Sequence, residues 1–131
     1  MQEIYEFLKK CGVYYLATVD GDKPKVRPFG TVNIFDGKLY IQTGKSKEVS
    51  IQIEQNPNVE ICAFNGQEWI RVAGTLCRDD RIEAKVDMLD KYPELKGMYS
   101  AYDDNTEVLY FTKAVATISS FVAPPRVITI G

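Results

Sequence analysis

The chain has 131 residues, 45% of them hydrophobic and 26% charged, a composition that indicates one globular domain and excludes a disordered chain. Sixteen lysines and arginines against eighteen acidic residues give a net charge of −2, which argues against a general nucleic-acid or membrane-surface binder. The absence of histidine excludes Ser-His-Asp and Cys-His catalysis, histidine-ligated haem and most catalytic zinc sites. We therefore expect a single domain over residues 1–131 without a metal site.

The sequence also predicts a cytoplasmic protein. No apolar run approaches the roughly 20 residues of a membrane span, and Met1-Gln2-Glu3 does not begin a signal peptide. Cys11, Cys62 and Cys77 are scattered and form no CxxC pair, so we expect three reduced thiols that serve as buried packing residues.

In chain order, the first predicted element is a helix, because Ile4, Phe7, Leu8 and Cys11 fall on one helical face. After it, Asp-Gly or Asn-Gly pairs separate apolar runs and supply the positive φ that tight hairpins need; the pairs are Asp20-Gly21, Asp36-Gly37 and Asn65-Gly66. Strands are predicted at Val13 to Val19, Lys25 to Phe35, Lys38 to Thr43, Val59 to Phe64, Glu68 to Leu76, Val108 to Ile118 and Val127 to Ile130. Strands joined in this way favour an antiparallel barrel or sandwich, mainly β with a few helices.

The second predicted strand contains two prolines, Pro24 and Pro28. Proline cannot donate to a central ladder, so this strand is expected at an edge or at a bulge. Strand alternation places Arg27 on one face with Phe29, opposite the more apolar face that includes Val26. Arg27 is therefore expected to point away from the apolar face.

Two further helices interrupt the strands. Val49, Ile51 and Ile53 alternate as in a strand, but Ser46 as N-cap and Asn56-Pro57 as a stop favour a short helix from Ser46 to Gln55. The sequence Asp80-Arg81-Ile82-Glu83 has the pattern of a capping box and predicts a helix with Asp80 as its cap.

The segment Gln42-Thr43-Gly44-Lys45-Ser46-Lys47, between a strand and a helix, has the composition of an anion-binding loop. Lysines are disfavoured at the positive end of a helix dipole unless an anion is bound there, and the hydroxyl groups add donors. The alternative is a solvated turn with an ordinary serine cap. A Walker A loop is excluded because Leu39 stands where its first glycine is required.

Four segments in this order resemble the pyridoxamine 5′-phosphate oxidase-like, FMN-binding split-barrel superfamily, and the resemblance extends over nearly the whole chain. They are Pro24-Lys25-Val26-Arg27-Pro28-Phe29, Leu39 to Lys47, Asn56-Pro57-Asn58-Val59, and Trp69-Ile70-Arg71-Val72-Ala73-Gly74. Within the superfamily, the chain is most similar to the general stress and nitroimidazole-resistance proteins. The resemblance implies a dimeric split barrel of six to seven strands with FMN bound between the subunits.

The resemblance also implies a set of cofactor-binding residues, of which Arg27, Thr43, Ser46 and Lys47 would contact the FMN phosphate. Gln42 and the backbone at Pro28 and Phe29 would lie near the ribityl chain and ring, and Trp69 would touch the flavin or pack at the dimer interface. Lys45 belongs to the same cationic loop. The residue types lead to the same phosphate site as the resemblance, since a bound dianion would explain the positions of both Arg27 and Lys47.

The implied activity is that of an FMN-dependent oxidoreductase, with a small electron-poor or conjugated substrate and NAD(P)H as a possible donor. Two alternatives stay open: a binding protein that stores flavin or senses redox state without turnover, and a relative that binds deazaflavin. True pyridoxamine phosphate oxidases carry arginine and histidine near a longer C-terminus, whereas this chain ends Pro124-Pro125-Arg126-Val127-Ile128-Thr129-Ile130-Gly131. Pyridoxamine phosphate is therefore not the expected substrate.

Overall fold

The computed structural model describes residues 1–131 and contains eight strands, three α-helices and one 3₁₀ helix. The helices are α1 (Gln2–Cys11), α2 (Glu48–Gln55), α3 (Ile82–Lys91) and the 3₁₀ helix Pro93–Gly97. The strands are β1 (Tyr14–Asp20), β2 (Lys23–Phe29), β3 (Asn33–Phe35), β4 (Lys38–Gly44), β5 (Asn58–Phe64), β6 (Glu68–Asp79), β7 (Thr106–Ser120) and β8 (Arg126–Ile130). No helix is long and apolar enough to cross a membrane.

All strands belong to one antiparallel sheet in the order β2-β1-β5-β6-β7-β4-β3, with β8 paired to β7. Strand β7 is long enough for β4 and β8 to pair with different parts of it while β6 runs along most of its length. The predicted mainly β fold, the three hairpins and the edge position of β2 are confirmed. Eight strands form instead of seven because the run from Lys25 to Phe35 is interrupted.

The interruption is the extended segment Gly30–Val32, whose backbone is bonded by side chains in place of a neighbouring strand. The Tyr14 hydroxyl donates to the Thr31 carbonyl at 2.6 Å. The Tyr92 hydroxyl donates to the Val32 carbonyl at 3.1 Å and accepts from the Val32 N–H at 3.0 Å. Buried backbone groups need hydrogen-bond partners. These side-chain bonds supply them to a segment that connects β2 to β3 and belongs to neither strand.

The main apolar core lies between the inner face of the sheet and helices α1 and α2. Ile4 and Leu8 of α1 and Val49 and Ile53 of α2 pack against buried strand residues, which include Leu16, Ile41, Ile61, Ile70 and Phe111. A smaller cluster joins α3 to the sheet through Tyr40, Ala84, Met88, Tyr92 and Val108. The two clusters fix α2 and the segment after α3 on opposite sides of the end of β4.

The orientation predicted for Arg27 requires a correction. Arg27 and Phe29 do share a face, but that face is the inner one, because Arg27 is paired with buried Leu16 and Phe29 with buried Tyr14. Val26 points outward and is 67% exposed. The prediction was wrong because it continued the alternation through Gly30–Val32, where the strand ends.

Both predicted caps also differ from the structure. Helix α2 forms as predicted but begins at Glu48 with Lys47 as N-cap, so Ser46 does not cap it; the Ser46 N–H donates to Asn105 Oδ1 at 3.0 Å. At α3 the N-cap is Arg81. The carboxylate that accepts the Arg81 N–H belongs to Asp79, at 3.1 Å, and not to Asp80.

The cysteines are free, as predicted, but not uniformly buried. Cys62 is exposed on the outer face of β5, and Cys11 and Cys77 are partly buried. Cys62 lies outside because it follows buried Ile61 in a strand whose side chains alternate between faces.

Candidate functional site

An open cleft of about 400 Å³ lies where the ends of β2 and β4 approach the start of α2. The segment from Tyr92 to Tyr99 forms its remaining wall. The cleft contains six of the nine residues predicted to bind a cofactor, namely Arg27, Pro28, Phe29, Gln42, Thr43 and Lys47. Lys45, Ser46 and Trp69 do not line it.

Arg27 is held in place before any ligand binds. One terminal nitrogen donates to Thr18 Oγ1 at 2.7 Å and to the Leu16 carbonyl at 3.2 Å. The other donates to Gln52 Oε1 at 2.7 Å. A guanidinium group has five N–H donors, so two remain for a ligand in the cleft. Burial lowers the pKa of Arg27 and the nearby Glu48 carboxylate opposes that shift, but an arginine remains charged at neutral pH.

Lys47 is the second cation of the cleft, at the N-terminal end of α2. No carboxylate lies within ion-pair distance of its ammonium group. Thr43, 7% exposed, adds a hydroxyl group from the end of β4. A helix N-terminus, two cations and a hydroxyl group together favour an anion such as a phosphate.

Lys45 faces elsewhere, although it lies only two residues away. Its ammonium group is 3.4 Å from Asp104 Oδ1, and it lines a separate cavity with Lys85. The Lys45 N–H donates to the Asn105 carbonyl at 2.7 Å. The segment between β4 and α2 therefore directs Lys45 toward this second cavity and Lys47 toward the cleft.

The loop of residues 100–106, which bonds to the backbone of Lys45 and Ser46, is itself held together by hydrogen bonds. The Asp103 carboxylate accepts from the N–H groups of Ser100, Asn105 and Thr106, and these hydrogen bonds hold its pKa far below the usual range. Gly44 passes close to this loop: a Cβ there would lie 3.1 Å from Asn105 and from Tyr99. Glycine permits this close approach, which brings Thr43 and Lys47 to the cleft.

Sequence reasoning missed the wall from Tyr92 to Tyr99. Tyr92 is anchored to Val32 through its hydroxyl group and its ring lies 4.0 Å from Lys9 Nζ. Glu94, Leu95, Met98 and Tyr99 follow it along the cleft. No short-range pattern links these residues to strands more than 40 positions earlier, so only tertiary contacts identify them.

Trp69 lies on the outer face of β6, away from the cleft of its own chain. Its ring packs against Phe121 with 5.0 Å between the centroids, and in the sheet it is paired with Phe64 on β5. Any contact between Trp69 and a ligand in the cleft would therefore require a second copy of the chain.

The cleft is suited to holding a phosphorylated ligand more than to acid–base chemistry. Its lining includes no cysteine, and Glu94 is its one carboxylate.

The model for the pyridoxamine 5′-phosphate oxidase family matches residues 1–119. The chain belongs to this family.

Solved structures agree with this family assignment. A NimC/NimA family protein from Clostridium acetobutylicum is 47% identical with a TM-score of 0.96, and the match covers 99% of this chain and 92% of that chain. The chain matches none of the curated proteins with which it was compared.

Two solved structures of lower sequence identity match over nearly their full length. General stress protein 26 from Bacillus anthracis str. Sterne is 20% identical, with a TM-score of 0.77 and 98% of both chains covered. A pyridoxamine 5′-phosphate oxidase-related, FMN-binding protein from Nostoc punctiforme PCC 73102 is 17% identical, with a TM-score of 0.64, and the match covers 98% of this chain and 92% of that chain. At these identities the similarity establishes the fold alone.

Proposed function

We propose that this protein is a homodimeric flavoprotein that binds FMN in the cleft and acts as an oxidoreductase on a small electron-poor or conjugated molecule. The main support is the pair of cations that face the cleft, Lys47 without an ion-pair partner and Arg27 with two unused N–H donors. Their combined charge of about +2 matches a phosphate monoester, which carries roughly −1.5 to −2 at neutral pH. The Nostoc neighbour described as FMN-binding is consistent with this ligand.

Each side of the cleft would have a separate role toward the cofactor. Lys47, Thr43 and Arg27 would hold the phosphate at the α2 end. Phe29, whose ring is held 6.0 Å from that of Tyr14, and Gln42, held by its backbone N–H to Thr31, would border the rest of the ligand. Bound FMN would supply the two-electron chemistry, and the protein would supply orientation, charge and restricted water access.

A second subunit is part of the proposal because the outer face of the sheet is apolar and exposed. Tyr15, Cys62, Phe64, Val115 and Val127 all point outward there, with Phe64 59% and Val127 64% exposed. At the centre of this face the Arg71 and Glu60 side chains pair at 2.8 Å, which reduces the cost of covering them. Extended exposed apolar patches mark interaction sites in soluble proteins, and such a dimer could bring Trp69 of one copy to the cleft of the other.

The test of flavin binding is the visible spectrum of the protein purified without added cofactor. Bands of oxidised flavin are expected, with FMN as the compound released on denaturation. A deazaflavin band would select the deazaflavin alternative, and a colourless protein that also fails to bind added FMN would refute the proposal.

Turnover separates the oxidoreductase from the binding protein. With NADH or NADPH and a set of nitroaromatic and quinone acceptors, we expect steady-state rates on the order of 1 per second or faster. An FMN-loaded protein that turns over none of them would support the storage or sensing role.

The subunit arrangement is tested by sedimentation. The wild type should be a dimer at micromolar concentration, and Phe64→Arg should give monomers that lose FMN. Tyr102→Arg, which changes a residue exposed in a loop and not on the sheet face, is the matched control and should remain dimeric. A flavin-loaded wild-type monomer would contradict the dimer.

A further inference from the structure

The charges along the cleft are unequally distributed. Of the fourteen lining residues only Arg27, Lys47 and Glu94 are charged. If the cleft binds FMN as proposed, the phosphate neutralises both cations. The Glu94 carboxylate is then the remaining charge in the lining, and Glu48, beside Arg27, adds a second negative charge nearby.

Glu94 is free to interact with a ligand. No lysine or arginine lies within ion-pair distance of its carboxylate, and it takes part in no side-chain hydrogen bond. Its side chain is exposed, and the backbone that carries it is held at both ends, because Tyr92 bonds to Val32 and Tyr99 packs against Gly44.

The neighbours of Glu94 in the wall favour a planar apolar ligand. Leu95, Met98 and Tyr99 line the cleft beside it, and Met98 is largely exposed in the unliganded chain. Methionine and tyrosine side chains pack well against aromatic rings. The wall therefore combines an aromatic contact surface with a single negative charge.

We propose that Glu94 selects the substrate by charge: the cleft accepts an uncharged or cationic planar electron acceptor and disfavours anionic ones that bear a carboxylate, sulfonate or phosphate group. This inference rests on the proposed flavin function and specifies the substrate class for the same site. The physical basis is the Coulomb potential of the Glu94 carboxylate, which lines the cleft and, being exposed, is partly screened by water.

The experiment measures equilibrium binding to the oxidised, FMN-loaded protein, so that no turnover is needed. Three ligands of one shape and different charge serve as probes: 4-nitrobenzamide, 4-nitrobenzoate and 4-nitrobenzylamine, which is an ammonium ion at neutral pH. Their dissociation constants are obtained from changes in flavin absorbance at low ionic strength. The wild type should bind the nitrobenzoate most weakly.

Glu94→Gln should reduce the ratio of the nitrobenzoate to the nitrobenzylamine dissociation constant by about threefold to tenfold, the range expected for one partly screened charge. Added salt should reduce the same ratio in the wild type. Glu83→Gln makes the same change in net charge on the exposed start of α3, outside the cleft, and should leave the ratio within about twofold.

An unchanged ratio in Glu94→Gln, or an equal change in Glu83→Gln, would overturn the inference while leaving the flavin function intact. A protein that binds no flavin would overturn the proposed function and this inference with it. Because FMN loading is measured first from the spectrum, the two failures are distinguishable.

Discussion

Lys45 and Lys47 are two residues apart and face different cavities. The ammonium group of Lys45 pairs with Asp104 at 3.4 Å, whereas that of Lys47 opens into the cleft without an acidic partner. The separation follows from the hydrogen bonds of the Lys45 and Ser46 N–H groups to Asn105. Of these two lysines, only Lys47 is placed to hold a ligand phosphate.

Lys47→Ala should therefore weaken FMN binding at least about tenfold, or 1.4 kcal/mol, because it removes a charge-assisted contact to the phosphate. Riboflavin, which lacks the phosphate, should bind almost equally well to the variant and to the wild type. Titration of flavin fluorescence with both ligands measures the four dissociation constants, which form a double-mutant cycle.

Lys45→Ala is the matched control for this cycle, with an expected change in FMN affinity below about twofold. Parallel loss of both flavins in Lys47→Ala would mean that the substitution disturbs the fold and not the phosphate contact. A wild type without preference for FMN over riboflavin would exclude a phosphate site in the cleft.

Tyr92→Phe should destabilise the protein and weaken FMN binding together. The Val32 N–H and carbonyl are both bonded to the Tyr92 hydroxyl, and Val32 is 2% exposed. Removal of the hydroxyl group therefore leaves two buried backbone groups of Val32 unpaired. The expected loss is about 1–3 kcal/mol in the free energy of unfolding. Urea denaturation and FMN titration measure the two effects.

The control is Tyr102→Phe, because Tyr102 is 77% exposed and its hydroxyl makes no hydrogen bond within the protein. That variant should match the wild type in both measurements. If Tyr92→Phe behaved in the same way, the hydroxyl would not be what holds Gly30–Val32 beside the cleft.

Asp79 is expected to make the free energy of unfolding depend on pH in the acidic range. Hydrogen bonds from the Arg81 side chain, opposed by burial and reinforced by the Tyr40 hydroxyl, hold the pKa of Asp79 at about 2. The unfolded value is about 3.9, so the folded state binds fewer protons and is stabilised above that pH. The contribution is lost as pH falls from about 4 to 2, and because Arg81 is half exposed we expect about 1–2 kcal/mol.

Asp79→Asn should therefore lower the free energy of unfolding by that amount at pH 7 and flatten its decline between pH 4 and 2. Thermal unfolding over this range measures both changes. The adjacent, exposed Asp80 is not an acceptor in any hydrogen bond, so Asp80→Asn should have little effect. Equal losses in the two variants would indicate a general charge effect.

The three cysteines should be dispensable for flavin chemistry. None lines the cleft, and a flavin already supplies a two-electron centre. A variant with Cys11, Cys62 and Cys77 all replaced by Ala should bind FMN normally and be reduced and reoxidised at wild-type rates. Normal FMN binding combined with loss of electron transfer would show that a thiol takes part.

The sequence by itself determined the elements of the fold. The Asp-Gly and Asn-Gly pairs specified three hairpins, two prolines placed β2 at the edge, and the segment from Ser46 to Asn56-Pro57 indicated α2. These features depend on backbone preferences and short-range contacts, which are specified by residues that are neighbours in the sequence. The family resemblance grouped Arg27, Thr43, Ser46 and Lys47 around a phosphate, and all of these except Ser46 line the cleft.

Only the tertiary structure decided which side chains share the cleft. Arg27 faces inward because its strand pairs it with buried Leu16, and Thr18 and Gln52 hold it there. Lys45 turns away because Asp104 and Asn105 hold its side chain and backbone, and Tyr92 reaches Val32 across 60 residues. Each of these arrangements depends on strand pairing, hydrogen bonds or an ion pair between residues that are separated in the chain, and local periodicity does not specify such partners. Local propensity therefore set the strands and helices, and long-range polar contacts set the direction of the side chains.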